Sequence, residues 1–456
     1  MKILILGAGQ VGRTAAQALS REEANEVTVV DLNEEVLRDL QDRLDVRTVA
    51  GNAAHPTVLE AAGAAEAEII VALTSSDEVN LVACEVAFTL FRTPTKIARL
   101  RAAEYASRPE LFRTGGLSVD VIISPEQLVT EYVERLIHQP GTFQVLDFAD
   151  GKVRLLGVRA RRGGLLIGHP LRELPQHLKS AELRVVAIYR DGRSVPPEGD
   201  TAIAEGDEVF FLAAAEDIRR AMAQMRRGDD PARRVMIAGG GHIGYRLART
   251  LEKSNQVKLI ERDAKRARKI SELLENAIVL HGDAADEELL IEENIDSTDV
   301  FAAVTNSEEA NILSAMLAKR LGATKAMALI NKPSYTELVE SSSIDIAISP
   351  QTITIGSLLA YVRRGDVVRV HALRRGASEA IEAIVHGDER SSRVVGRTVG
   401  EIPLPEGAAI GAVVRANEVI MAHHDTRVLA DDHVILFLAD RRHLEAVERL
   451  FVRVPR

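Results

Sequence analysis

The chain has 456 residues, 46% of them hydrophobic and 27% charged, which is ordinary globular composition and a length for roughly three domains. Its net charge of −10, with 57 basic against 67 acidic residues, excludes general nucleic-acid binding, which rests on neutralising phosphates. Trp is absent and aromatics are 4%, so stacking platforms for single strands are excluded too, and a single cysteine permits neither an intrachain disulfide nor a cysteine metal site. A reducing, cytosolic compartment fits best.

From the N-terminus, Lys2–Leu6 reads as a short apolar strand and Gly7 interrupts it at once, too early for a signal-peptide core. Further strands are expected at Glu26–Val30, Val46–Val49, Ile69–Leu73, Lys96–Leu100 and Val119–Ile123. Helical patterns separate them, among them Val11–Ser20, Glu34–Arg43 and Glu78–Phe91. Alternation of this kind predicts a parallel α/β sheet. After Pro125 the pattern changes: a helix over Gln127–His138, strands Thr142–Phe148 and Val153–Ala160, and a hairpin at Asp191-Gly192. Strand Glu208–Ala213 and a helix over Ile218–Arg226 close a smaller α+β unit. The polar stretch Arg226-Arg227-Gly228-Asp229-Asp230-Pro231 reads as a linker.

The same plan then repeats. Gly7-Ala8-Gly9-Gln10-Val11-Gly12 recurs as Gly239-Gly240-Gly241-His242-Ile243-Gly244, after the strand Arg234–Ala238. Gly51-Asn52-Ala53 pairs with Gly282-Asp283-Ala284, Thr74 through Asn80 with Thr305 through Asn311, and Ile123-Ser124-Pro125 with Ile348-Ser349-Pro350. Thr201 and Asp207 pair with Thr426 and Asp432, and the chain ends with strand Val434–Leu438 and helix Arg442–Leu450. A nearly constant spacing of about 230 residues identifies a tandem duplication. The expected architecture is two Rossmann-like parallel-sheet domains, each followed by a small α+β domain: 1–138, 139–228, 233–362 and 363–456. The longest uncharged stretch, Ile346 to Val362, carries too many polar residues to span a membrane.

Each glycine motif follows a strand and opens a helix, and an acid closes the next strand: Asp31 in the first copy, Glu261 in the second. The first glycine (Gly7, Gly239) permits the tight turn. The second (Gly9, Gly241) lets backbone approach a pyrophosphate, and the third (Gly12, Gly244) lets helix and strand pack closely. The helix N-terminus offers free N–H groups to phosphate, and the acid accepts from ribose hydroxyls while repelling a 2′-phosphate. Glu261 lies two residues nearer its loop than Asp31 does, Asp263 keeps the longer spacing, and Arg262 weakens the case against a 2′-phosphate.

Catalytic motifs are missing. None of the six tyrosines begins Tyr-x-x-x-Lys, and no H-E-x-x-H, G-x-S-x-G or G-K-[ST] occurs. His423-His424-Asp425 with His433 could hold a metal but reads better as surface histidines, and Cys84 as a small core residue. Arg159, Arg161 and Arg162, and Arg262, Lys265, Arg266, Arg268 and Lys269, read as solvated basic faces, with an acidic partner or anionic lipid as the other reading.

MKILILGAGQVG, Val30-Asp31, Gly51-Asn52-Ala53, Leu73-Thr74-Ser75, Ile97-Ala98-Arg99 and Ile123-Ser124-Pro125 resemble the RCK (also called KTN) family in its tandem form, found in bacterial Trk potassium uptake systems. Gly168-x-x-Leu171-x-Glu173-Leu174 and Ala204-Glu205-Gly206-Asp207 extend the likeness to the small domain, and so over essentially the whole chain. The resemblance implies a non-enzymatic peripheral subunit on the inner face of the plasma membrane. It implies a homo-oligomeric ring, a tetramer, that gates a membrane-embedded Trk potassium channel subunit in response to NAD or NADH, with ATP or ADP as the alternative. By residue match, Gly7, Ala8, Gly9, Gln10, Val11 and Gly12 would hold phosphates and Asp31 the ribose. Asn52 would sit by the adenine, Thr74 and Ser75 would line the second half of the site, and Arg99 would lie near the phosphates. The second-copy matches are Gly239, Gly240, Gly241, His242, Ile243, Gly244, Glu261, Asp283 and Thr305, with Leu329 in the place of Arg99 and Lys332 nearby. A cytosolic NAD-dependent oxidoreductase is the competing reading. A redox-sensing transcription factor would need a helix-turn-helix and a basic face, and the chain carries neither.

Overall fold

The computed structural model describes the chain apart from residues 22–24, 114, 140, 162–166, 178–181, 226–230, 333, 336–338, 340–342, 363–366, 374–377 and 452–456. The linker expected at Arg226 to Asp230, and Arg162 of the first basic turn, lie outside the described residues.

Two six-stranded parallel sheets run in the spatial order third, second, first, fourth, fifth, sixth. The first is built from Lys2–Leu6, Glu26–Asp31, Arg47–Ala50, Ile69–Ala72, Thr95–Arg99 and Val121–Ile123. The second uses Arg234–Ala238, Gln256–Glu261, Ile278–His281, Val300–Ala303, Lys325–Leu329 and Ile346–Ile348. Ile3, Leu4, Ile5 and Leu6 are all buried, as a parallel strand covered on both faces requires. Strand order reverses between the first and fourth strands of each sheet, which opens a crevice at their C-terminal ends.

The small units are five-stranded antiparallel sheets. The first includes Thr142–Phe148, Val153–Arg159, Leu183–Arg190, Arg193–Val195 and Glu208–Ala214. Asp191 at φ 48° and Gly192 at φ 83° make the expected hairpin turn. The second includes Val367–Leu373, Ser378–Ile384, Ala408–Arg415, Glu418–Met421 and His433–Leu438. The two sheets share one core: Phe148, Leu155, Phe210 and Leu212 from the first bury with Ala380, Ala412, Ile435 and Phe437 from the second. Gly411 admits that contact, because a Cβ there would lie 2.7 Å from Leu212 Cδ2. Polar ties cross the same interface, Tyr189 Oη to Ser378 Oγ at 2.6 Å and the Ala149 N–H to Glu382 Oε2 at 2.9 Å.

In each small unit a buried aspartate locks the last turn. Asp207 accepts from Arg190 Nε (2.9 Å), Arg190 Nη2 (2.8 Å) and the Ala204 N–H (2.8 Å). Asp432 repeats this with Arg415 and the Leu429 N–H. These are the aspartates singled out by the repeat.

The chain divides into two compact units that do not follow the halves. Unit one is Met1–Leu128 with Pro350–Val362, and unit two is Val129–Ser349 with Arg363–Arg456. The apolar helix Pro350–Val362 of the second repeat packs on the helix Gln10–Leu19 of the first, where Gln351 Oε1 lies 3.1 Å from Thr14 Oγ1. Within unit two, Lys325 Nζ on the second parallel sheet donates to the carbonyls of Leu136 and Thr142 at 3.0 Å. No helix among the described residues is long and apolar enough to cross a membrane.

Candidate functional site: two glycine loops at the sheet ends

The first loop turns off the strand at Gly7, whose φ of 102° only glycine adopts without strain. Its N–H donates to the Val30 carbonyl at 2.7 Å, and a Cβ on Gly7 would meet Thr74 N at 2.9 Å. Three loops therefore meet here, those after the first, second and fourth strands. Gly12 stands over the turn with no room for a side chain, since its Cβ would collide with the Gly7 carbonyl oxygen. Gly9 has nothing within 4 Å of that position and is exposed. The helix Gln10–Leu19 begins at Gly9 with no side-chain cap and no acid in its first turn. Its leading N–H groups are thus left for solvent or an anion. The neighbouring helices Glu34–Arg43 and Asp77–Val86 are capped by Asn33 and Ser76.

Asp31 ends the second strand with its carboxylate turned to the loop. Oδ2 accepts the Ala8 N–H at 2.6 Å and Oδ1 the Asn33 N–H at 2.8 Å. Gly51 donates to the Asp31 carbonyl at 2.9 Å, which brings Asn52 beside the acid, and Asn52 Oδ1 closes its own turn on the Ala54 N–H. Thr74 is held by Asn80, and Ser75 is exposed at the loop tip. Gly7, Ala8, Gly9, Gln10, Asp31, Asn52, Thr74 and Ser75 thus gather on one edge of the sheet.

Arg99 ends the fifth strand, where its Nη2 pairs with Glu126 Oε1 at 3.2 Å and its side chain is 12% exposed. Burial lowers its pKa, and the Glu126 charge works against that.

The second copy reproduces the loop. Gly239 has φ 107°, Gly244 sits over its carbonyl, Gly241 is open, and the helix His242–Leu251 is again uncapped, with Ile243 in its first turn. Glu261 resolves the spacing question. It ends its strand as Asp31 does, accepting the Gly240 N–H at 2.9 Å and the Asp263 N–H at 2.8 Å. Asp263 takes the place of Asn33, capping the next helix by accepting from the Arg266 N–H. Asp283 forms the Asn52 turn, and Thr305 the Thr74 one. Leu329 stands where Arg99 does: the Asn311 amide donates to its carbonyl at 2.9 Å, as Asn80 does to Arg99. Lys332 matches Arg101, because Glu308 accepts its N–H as Asp77 accepts that of Arg101.

Two residue types in the site went unassigned in the sequence. Asn80 and Asn311 are fully buried and carry the Thr loops; their signal was the repeated Thr-x-Ser-x-x-x-Asn spacing. Arg13 donates from Nε to the Ala8 carbonyl at 3.1 Å and from Nη1 to Asp39 at 3.0 Å. No repeat pointed to it, because the second copy has Tyr245 there. The histidines weighed as a metal set go separate ways: His433 Nδ1 lies 2.6 Å from Glu382 and His423 Nε2 3.6 Å from Glu182.

The TrkA-N domain family matches residues 3–125 and 235–350, and the TrkA-C domain family matches 155–226 and 389–452. This chain belongs to the TrkA family. The Trk system potassium uptake protein TrkA of Halomonas elongata is 56% identical over 451 residues, covering 99% of this chain and 98% of that one. TrkA of Vibrio alginolyticus is 54% identical over 456 residues, covering 100% and 99%. Among solved structures, the GsuK RCK domain matches with TM-score 0.63 at 19% identity, covering 98% of this chain and 95% of that one. The GsuK channel bound to NAD matches with TM-score 0.62 at 18% identity, covering 99% and 78%. At such identity these two speak for the fold. The TrkA relatives span the tandem arrangement end to end.

Proposed function

We propose that this TrkA-family chain is a nucleotide-binding regulatory subunit of a Trk-type potassium uptake system, and not an enzyme. The observation that carries the reading is the pair of uncapped helix N-termini, each behind an open second glycine and each with an acid tied to the loop by its backbone N–H. That is a cradle for pyrophosphate and ribose, built twice. The TrkA relatives are named for potassium uptake, and the GsuK channel has been solved with NAD. NAD or NADH is the proposed ligand, with ATP or ADP the alternative.

The proposed assembly is a homotetrameric ring on the cytoplasmic face, seated on a membrane-embedded Trk channel subunit. The proposed modules are 1–138, 139–228, 233–362 and 363–456. Ligand acts by differential affinity for two ring shapes. Moving such an equilibrium from 1:99 to 99:1 takes about 10⁴-fold preference in all, which the eight loops of a tetramer would meet at about 3-fold each.

The test is titration calorimetry of NADH into the whole chain, with Asp31→Ala and Glu261→Ala, beside potassium uptake in cells lacking the gene. Weaker binding in both variants and uptake restored by the intact chain alone are expected. Unchanged binding in both variants, or normal uptake without the gene, refutes the proposal.

A further inference from the structure

The two loops share a backbone plan but differ in the charge around the acid. In the first copy Asp31 is flanked by Leu32, which is 74% exposed, by Ala50 on the adjacent strand, and by Glu34 and Glu35 in the first turn of the next helix. In the second copy the same places hold Arg262, His281 and, in the helix turn, Ala264 and Lys265. The strand register sets His281 directly opposite Glu261, as Ala50 is opposite Asp31. The ring of His281 reaches the Arg262 backbone, with Nε2 3.1 Å from that carbonyl oxygen. Arg262 and His281 therefore stand together beside the acid, and both are exposed.

The contrast continues along the helix. Asp39, which pairs with both Arg13 and Arg43 beside the first loop, is replaced by Lys269, and Arg13 by Tyr245. Among the described residues, Arg262, Lys265 and Lys269 make no ion pair. Glu261 is 8% exposed and spends both carboxylate oxygens on main-chain N–H groups.

A carboxylate at this position disfavours a 2′-phosphate because like charges meet. In the first copy the cation at the loop, Arg13, is engaged by Asp39 and the Ala8 carbonyl, and the positions flanking the acid carry no positive charge. In the second, Arg262, His281 and Lys265 occupy the positions flanking a buried, hydrogen-bonded carboxylate, and a planar guanidinium suits two-point contact with a phosphate. We propose that the second loop accepts a dinucleotide phosphorylated on the adenosine 2′-oxygen, while the first is restricted to the unphosphorylated form. Arg262 and His281 are the residues that set this difference. The inference rests on the nucleotide reading of both loops.

The experiment is calorimetric titration of the whole chain with NAD⁺ and with NADP⁺, reading stoichiometry and affinity. Two NAD⁺ and one NADP⁺ per chain are expected. Arg262→Leu with His281→Ala should lower the NADP⁺:NAD⁺ affinity ratio at the second loop about ten-fold or more, the scale of a charge-assisted bond. The transplant Leu32→Arg with Ala50→His should add a second NADP⁺ per chain. This arm keeps the proposal falsifiable if the first variant folds poorly. NAD⁺ at two sites with NADP⁺ at none, or NADP⁺ equally at both, overturns the inference and leaves the nucleotide reading standing. Failure of both nucleotides to bind overturns the nucleotide reading itself.

Discussion

Asn80 fastens Thr74 to Arg99 across two parallel strands. Its Oδ1 accepts the Thr74 N–H at 2.9 Å and the Thr74 hydroxyl at 2.7 Å, while Nδ2 donates to the Arg99 carbonyl at 2.9 Å. Asn311 does the same for Thr305 and Leu329. Asn80→Ala leaves several buried main-chain groups unpaired and should cost about 2–4 kcal/mol. Urea denaturation measures it, and nucleotide titration of the folded variant should show weakened binding at that loop.

The glycines of one loop separate stability from binding. Gly12→Ala forces a methyl into the Gly7 carbonyl and should destabilise by about 3 kcal/mol or more. Gly9→Ala meets nothing in the protein and should leave the melting temperature within about 2 °C, yet lower nucleotide affinity at the first loop, where the methyl would stand in the path of the proposed ligand's phosphates. Thermal melting and calorimetry on the two variants distinguish these outcomes.

The Arg190–Asp207 pair is a buried carboxylate with a half-exposed partner. Burial raises the pKa of Asp207, but the Arg190 bonds and the Ala204 N–H outweigh it and hold the carboxyl below its usual range. Arg190→Met strands that charge and should cost about 3–5 kcal/mol. Arg415→Met, at the twin site, should cost a similar amount by chemical denaturation.

His371 packs edge-on to Phe148, and burial lowers its pKa to about 4. The Asp147 carbonyl opposes that shift, while Arg369 and Arg135 add to it. The folded pKa lies below the unfolded value near 6.5, so the unfolded chain takes up a proton first as pH falls. The His371 contribution to stability should therefore drop between about pH 6.5 and 4, by up to about 3 kcal/mol, and level off below. His371→Gln should flatten that segment of a stability–pH curve.

Cys84 is buried on the helix Asp77–Val86, and burial raises its thiol pKa to about 12. Iodoacetamide should leave the native chain unlabelled at pH 8 and modify it once urea unfolds the first sheet, as mass spectrometry would read.

Much of this was legible in residue order. Short apolar runs located the six strands of the first parallel sheet, and the first strand of the second, to within a residue or two, because strands buried on both faces tolerate few polar residues. The spacing irregularities carried structure as well. Two residues fewer between the helix His242–Leu251 and the strand Gln256–Glu261 bring Glu261 nearer its loop. One residue more in the first copy, before Thr95, is absorbed by a π-helical turn at Ala87–Phe91, where the second copy runs unbroken as Glu308–Arg320. What could not be read was which surface each helix chooses. Pro350–Val362 mixes apolar and polar residues around its circumference and so carries no directional pattern, and its seat on the helix Gln10–Leu19 is a tertiary choice. Arg99 was assigned by its match to the family motif Ile97-Ala98-Arg99, and its pairing with Glu126 depends on a partner many residues away.

The shared core of the two small sheets has an evolutionary consequence. Two identical chains meeting through such a core would form an isologous pair, in which every substitution appears on both sides at once. Here one polypeptide supplies both sheets, so each copy mutates alone. Arg99 could become leucine at one loop while staying arginine at the other, and Leu32 could gain a cation without doubling it. Joining the repeats into one chain released the two loops from having to be the same.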